Sequence, residues 1–164
     1  NLNQFKGKVV VLEWFNQQCP FVRKFYESNS MQQWQSAFVA KGVIWLTINS
    51  TAPDKVGYEN LKQTRSTRQK FNIRSSYNLI DSSGNLGRKY GAKTTPHIFI
   101  LDKDHIVAYQ GAVDNAQSTD VKTIRSAENY LLNTLFALTH TGRTRNIKTN
   151  LIRVTAPYGL QIRY

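Results

Sequence analysis

Val9-Val10-Val11-Leu12-Glu13-Trp14-Phe15 is a nearly continuous apolar run, and Asn16-Gln17-Gln18-Cys19-Pro20 follows it directly. A run this rich in β-branched and aromatic residues reads as a strand buried on both faces. Pro20 suits the first turn of a helix, where its missing N–H costs nothing. The stretch is strand, short loop, helix, with Cys19 at the junction. Working outward, Ser30-Met31-Gln32-Gln33 predicts a capping box that opens a second helix. Met31, Trp34, Phe38 and Lys41 fall on one face of it, and Lys41-Gly42 closes it.

Val43-Ile44-Trp45-Leu46-Thr47-Ile48-Asn49 is a second buried strand. A polar, basic helix is expected over 58–71, a short strand over 77–81, a turn over 82–85 and a short helix over 86–90, closed by Gly91. Thr94-Thr95-Pro96 leads into His97-Ile98-Phe99-Ile100-Leu101, a third long strand. Asp102 and Asp104 read as turn formers, and 106–110 pairs back as a hairpin. Val121, Ile124, Ala127, Leu131, Leu135 and Leu138 mark one amphipathic helix over 120–139, with Gly142 beyond its end. Trp14, Trp34 and Trp45 fall on core faces.

This order, βαβα, then a β-hairpin, then α, predicts an α/β fold: a central mixed sheet with helices on both faces and right-handed crossovers. Chemistry in such sheets sits beyond the carboxyl ends of the strands, where Cys19 lies. The length of 164 residues fits one domain of roughly 100–200 residues. It divides into a core, 1–140, and a C-terminal extension, 141–164.

The chain carries 22 Lys and Arg against 10 Asp and Glu, a net charge of +12. Residues 54–74 carry a net +4 and residues 141–164 a net +5, the latter through Arg143, Arg145, Lys148, Arg153 and Arg163. Such faces would attract nucleic acid, anionic lipid or an acidic protein partner, or serve only as solvated, solubilising surfaces. No zinc-finger, RNA-binding or basic-zipper pattern accompanies them, so nucleic acid is not the expected partner. No apolar run approaches the roughly 18–20 residues of a membrane span. One cysteine excludes an intrachain disulfide. With three scattered histidines and no phosphate-binding glycine loop or serine elbow, no metal or cofactor is expected. The chain starts at Asn1 without a visible signal peptide.

Cys19 is the first candidate for chemistry. Unpaired N–H groups and the dipole at a helix N-terminus favour a thiolate, with Arg23 and Lys24 adding positive potential. A buried, inert cysteine is the competing reading. Pro96 is the second candidate, since a cis bond there would expose the Thr95 backbone beside the Cys19 loop. His97 either tunes Cys19 or is an ordinary strand histidine.

Residues 5–15, Asn16-Gln17-Gln18-Cys19-Pro20-Phe21-Val22, residues 86–96 and Phe99-Ile100-Leu101-Asp102 together resemble the thioredoxin-fold redoxins. That group holds alkyl hydroperoxide reductase-type, thiol-specific antioxidant peroxidases and thiol–disulfide oxidoreductases. The resemblance covers about 5–138. It implies a thioredoxin-like fold, with Pro96 as the cis-proline facing the active cysteine. The tail, 156–164, resembles a subgroup often exported in bacteria, which implies an exported or periplasmic location. The strand pair that usually precedes Phe5 is absent, consistent with a truncated chain.

The departures are chemical. A C-x-x-C redox pair needs a second thiol, and Val22 stands there. Leu160 stands where the subgroup commonly has a cysteine. Asn16 occupies the place of a peroxiredoxin Thr or Ser, where its amide could bond a peroxide oxygen, and Leu12 that of a proline. Arg88 and Arg23 are stand-ins for the peroxiredoxin arginine. The expected activity is a one-cysteine thiol oxidoreductase, leaning to peroxidase, which reduces a peroxide or disulfide with an external thiol. The site set is Cys19, Asn16, Pro96 and Thr95. The alternatives are a redox-inactive binding module with a basic recognition surface, and a thiol switch that pairs Cys19 with another protein or glutathione.

Overall fold

In the computed structural model, which describes residues 1–140 and 152–164, the elements in chain order are β1 (Val10–Trp14), α1 (Pro20–Glu27), α2 (Ser30–Val39), β2 (Ile44–Asn49), α3 (Leu61–Lys70), β3 (Tyr77–Ile80), α4 (Asn85–Tyr90), β4 (Thr94–Thr95), β5 (His97–Leu101), β6 (Val107–Gly111), α5 (Tyr130–Thr139) and β7 (Leu160–Gln161). Short 3-10 helices occupy Leu2–Phe5 and Val121–Arg125. Five strands form the main sheet in the order β3-β2-β1-β5-β6. β1, β2 and β3 run parallel, whereas β5 is antiparallel to β1 and to β6. The mixed sheet expected from the sequence is the one observed.

β1 is the middle strand, and all five of its residues are buried. Its side chains alternate between faces. Val9, Val11 and Phe15 join Phe25, Met31, Phe38, Leu131 and Leu135 of α1, α2 and α5 in one core. Val10, Leu12 and Trp14 join Leu46, Ile48, Phe99 and Leu101 in a second, against which Leu86 and Tyr90 of α4 pack. Burying each large apolar side chain contributes about 1.5–3 kcal/mol, so a strand in contact with both cores anchors the sheet. Trp14 and Trp45 are fully buried, each donating its indole N–H: to Ser50 Oγ at 3.0 Å and to Glu13 Oε2 at 2.8 Å. Trp34 is only half-buried, at the edge of the first core.

Three local expectations are corrected. α2 begins at Ser30, but its cap is Asn29 in the left-handed region (φ 61), without a side-chain cap bond. Ser30 instead exchanges a hydrogen bond with Ser28 Oγ at 3.0 Å, so the predicted box does not form. The basic helix is shorter than 58–71, because Asn60 and Gln63 form a reciprocal capping box that starts it at Leu61. The helix expected over 120–139 is two pieces. Glu128 is bonded to Asn115 from both sides, Asn115 N–H to Glu128 O at 3.1 Å and Glu128 N–H to Asn115 Oδ1 at 3.0 Å. Asn129 then caps α5 by accepting from Leu132 N at 2.8 Å. Asp102 is a turn former, accepting from Asp104 N and Ile106 N.

Of the basic tail, 141–151 with Arg143, Arg145 and Lys148 lies outside the described residues. From 152 onward the chain returns across the sheet ends. Val154 bridges Gln110, β7 pairs antiparallel with β4, and Ile162 enters the second core. Asn129→Ala is expected to cost about 1 kcal/mol, read as a lower urea midpoint. An unchanged midpoint would show that packing alone holds α5.

Candidate functional site

Leaving β1, the chain makes a tight turn in which Asn16 Oδ1 accepts from Gln18 N at 2.8 Å and Asn16 O accepts from Cys19 N at 3.0 Å. The turn delivers Cys19 to the N-cap of α1 and Pro20 to its first helical position. Cys19 is fully buried. Its Sγ donates to the Thr95 carbonyl oxygen at 2.8 Å. The Thr95–Pro96 bond is cis. Cys19, Thr95 and Pro96 are thus brought together. Asn16 sits in the same loop, but its amide is turned to the neighbouring 51–57 loop, donating to Thr51 Oγ1 at 3.3 Å and Val56 O at 3.4 Å.

The nearby cations are engaged locally. Arg23 pairs with Glu27 at 2.6 Å on the surface. Lys24 is buried, paired with the equally buried Asp114 at 3.3 Å, and donates to Ala116 O at 3.2 Å. Arg88 lies over the Tyr164 ring, 4.8 Å from its centre, and donates to Ser83 O at 2.8 Å. His97 accepts from Lys93 N at 3.2 Å through Nδ1, and its ring packs 4.6 Å from that of Phe99. Burial, helped by the Lys93 charge, pushes its pKa down to about 4. It is a neutral strand histidine held by backbone and core.

The returning tail completes the surroundings. Leu160 is the strand partner of Thr95. Gly159 (φ 140) lies so close that a Cβ would stand 2.0 Å from the Thr95 oxygen. Tyr158 packs against Phe21 with ring centres 5.6 Å apart and donates its hydroxyl to Asp114 Oδ1. Pattern reading missed this cluster of Lys24, Asp114 and Tyr158, because its members are far apart in sequence.

It also missed Glu13, although a lone acid within an apolar run was the signal. Glu13 is fully buried within β1, the strand that leads into the Cys19 loop. Its carboxylate accepts from Tyr26 Oη at 2.8 Å, Trp45 Nε1 at 2.8 Å and Gln35 Nε2 at 3.1 Å. Burial outweighs these bonds and raises its pKa to about 7. Among the described residues no three His, Cys, Asp or Glu side chains converge to hold a metal, and no helix is long and apolar enough to cross a membrane.

The AhpC/TSA family model matches residues 1–110. No curated protein matches the chain. Among solved structures, an uncharacterized conserved protein from Geobacillus kaustophilus superposes with a TM-score of 0.73 at 20% identity, covering 99% of this chain and 81% of its own. The thioredoxin domain of a thiol-disulfide oxidoreductase from Bacteroides vulgatus gives 0.53 at 16% identity over 76% of this chain and 82% of that one. A secreted disulfide oxidoreductase of Mycobacterium tuberculosis gives 0.50 at 22% identity over 64% and 69%. The fold is thioredoxin-like.

Glu13 and His97 make opposed contributions to stability. Glu13 moves from 4.5 to about 7 on folding, so its contribution is fully present below about pH 4.5 and is lost as pH rises through 7. His97 moves from 6.5 to about 4, so its contribution is present above 6.5 and is lost as pH falls through 4. Each amounts to about 3 kcal/mol, and between pH 4.5 and 6.5 the two slopes offset one another. Urea midpoints of Glu13→Gln are expected to fall steeply with acid in that window, while the parent changes little. Parallel pH profiles would contradict the assignment of the raised pKa to Glu13.

Proposed function

Because the chain belongs to the AhpC/TSA family, we propose that it is a thiol oxidoreductase working through the single Cys19, with peroxide reduction as the favoured half-reaction. The observation that carries this is the meeting of Cys19 Sγ with the Thr95 carbonyl, next to the cis Thr95–Pro96 bond, at the start of α1. In this reading residues 1–164 form one redoxin domain. After deprotonation, the Cys19 thiolate attacks the peroxide O–O bond. One oxygen stays on sulfur as sulfenic acid and the other leaves as alkoxide or hydroxide, which takes up a proton. An external thiol then condenses with the sulfenic acid, releasing water and leaving a mixed disulfide. A second external thiol attacks that disulfide, regenerating Cys19 and forming the oxidised external disulfide.

External thiols are required because Val22 and Leu160 occupy the positions where a resolving cysteine would stand. With a disulfide as substrate, the mixed disulfide forms directly and the other half leaves as thiolate. Asn16, Thr95 and Pro96 shape the approach to sulfur in this scheme. Peroxide, disulfide and external thiol are then the partners. An exported location is part of the same proposal, supported by the secreted Mycobacterium tuberculosis structure of similar fold.

A second reading has its own support. Cys19 is fully buried, and exposed Lys62 and Lys70 of α3, with Arg23, line a cleft of about 570 Å³ that also includes Gln17, Gln18 and Phe71. A redox-inactive module would use this basic face for an acidic protein partner. Hydrogen peroxide is expected to oxidise Cys19 faster than a small free thiol, with mass spectrometry following the sulfenic product, and Cys19→Ser is expected to abolish peroxide-dependent oxidation of an added thiol. A rate no better than the free thiol, or unchanged turnover in Cys19→Ser, would leave the binding module as the better reading.

A further inference from the structure

Thiol chemistry at Cys19 requires access to its sulfur, and the sulfur has none in the folded protein. One atom links the buried thiol to the returning tail. The Thr95 carbonyl oxygen accepts from Cys19 Sγ and is also the atom against which Gly159 is pressed, with β7 held alongside β4 by the pairs Thr94↔Gln161 and Thr95↔Leu160. Phe21, two residues beyond Cys19, is covered by the Tyr158 ring. The returning tail therefore packs against the carbonyl that the thiol meets, on the side of that oxygen away from the first core, of which Cys19 is a member.

The anchoring of this segment is uneven. Upstream, Gln110 N donates to Arg153 O at 2.9 Å, Thr155 N donates to Gln110 O at 3.0 Å, and Thr155 Oγ1 accepts from Ala112 N at 3.0 Å. Downstream, Ile162 N donates to Lys93 O at 3.0 Å, Ala52 N donates to Arg163 O at 2.9 Å, and Tyr164 Oη donates to Ala92 O at 2.6 Å. Between them, and among the described residues, 156–161 is held by the two-residue β7 ladder and by the side-chain bond from the Tyr158 hydroxyl to Asp114. Leu160 and Gln161 are exposed, and Gly159 has a φ of 140. A short segment with few bonds between two firm anchors is the part of a fold that opens locally at least cost.

We propose that residues 156–161 are a gate over Cys19, hinged at Gly159 and latched by Tyr158 on the buried Lys24–Asp114 pair. Lys24 belongs to the helix that Cys19 starts, and Asp114 follows β6, so the pair ties the latch to the scaffold on both sides. Closed, the gate keeps the thiol against the Thr95 carbonyl and away from solvent. Open, it frees the sulfur while the segments on either side remain in place. The gate regulates the site of the oxidoreductase reading and rests on that reading for its purpose, though the test of access does not depend on it.

The test uses the full chain. Alkylation of Cys19 by iodoacetamide is followed by mass spectrometry in the parent, Tyr158→Phe and Gly159→Ala, with Asn129→Ala as a destabilised control away from the gate. Tyr158→Phe keeps the ring on Phe21 and removes the latch bond. Gly159→Ala places a Cβ against the Thr95 oxygen. When opening is fast and alkylation slow, the rate follows the open population, so removing a bond to a charged group is expected to raise it about tenfold. Gly159→Ala should do at least as much, and both should exceed Asn129→Ala while retaining a cooperative melting transition. A parent rate equal to that of the urea-unfolded chain, or gate variants no faster than Asn129→Ala, would overturn the gate. Peroxide oxidation of the same variants separates the two ideas. Faster alkylation with peroxide oxidation no better than a free thiol keeps the gate and rejects the peroxidase.

Discussion

β1 has an apolar side chain on nearly every residue and so cannot lie at a surface. Satisfying it takes a strand on each edge and a layer of helices on each face, and these are what the chain supplies: β2 and β5 beside it, α1, α2 and α5 on one face, α4 on the other. The residue leaving the end of that strand emerges where the sheet stops and the helix layer begins. Cys19 is placed by this requirement, four residues beyond Phe15, with the start of α1 fixed by Pro20. The antiparallel β5 then carries Thr95–Pro96 past the same point, because β5 must begin where β1 ends.

Charge is handled differently near the site from elsewhere. Most of the +12 sits on exposed side chains, where ion pairs contribute little. In β1 and α1, apart from the exposed Arg23 and Glu27, the ionisable groups are buried and matched. Lys24 meets Asp114, and Glu13 meets three neutral donors. A buried ion pair stabilises less than its geometry suggests, since desolvation opposes it, but removing one partner is strongly destabilising. Such groups act as positional constraints more than as sources of stability, and Lys24–Asp114 fixes where Tyr158 can bind.

How much of this was legible in the sequence depends on the range of each interaction. β1, β2 and β5 are readable because their apolar content is local, and the Cys19-Pro20 junction and the cis peptide at Pro96 follow from residues adjacent in the chain and from family resemblance. The Asn60–Gln63 box is equally local, but the polar stretch 58–71 has no apolar periodicity to mark where its helix begins. The break before α5 was not local: an apolar stripe from Val121 to Leu138 is compatible with one helix, and only the bonds to Asn115 interrupt it. In sequence the tail is basic and aperiodic. Its role depends on Thr95, Asp114 and Lys93, none of them near it in sequence.

β7, which pairs with β4 beside the thiol site, comes late in the chain. Every strand of the main sheet precedes it, and the partner of Leu160 is Thr95, far upstream. Domains acquire structure as the chain emerges, so β1, β5 and the Cys19 turn can assemble before residues 156–161 leave the ribosome. During that interval the Thr94–Thr95 edge beside Cys19 has no β7 strand paired against it.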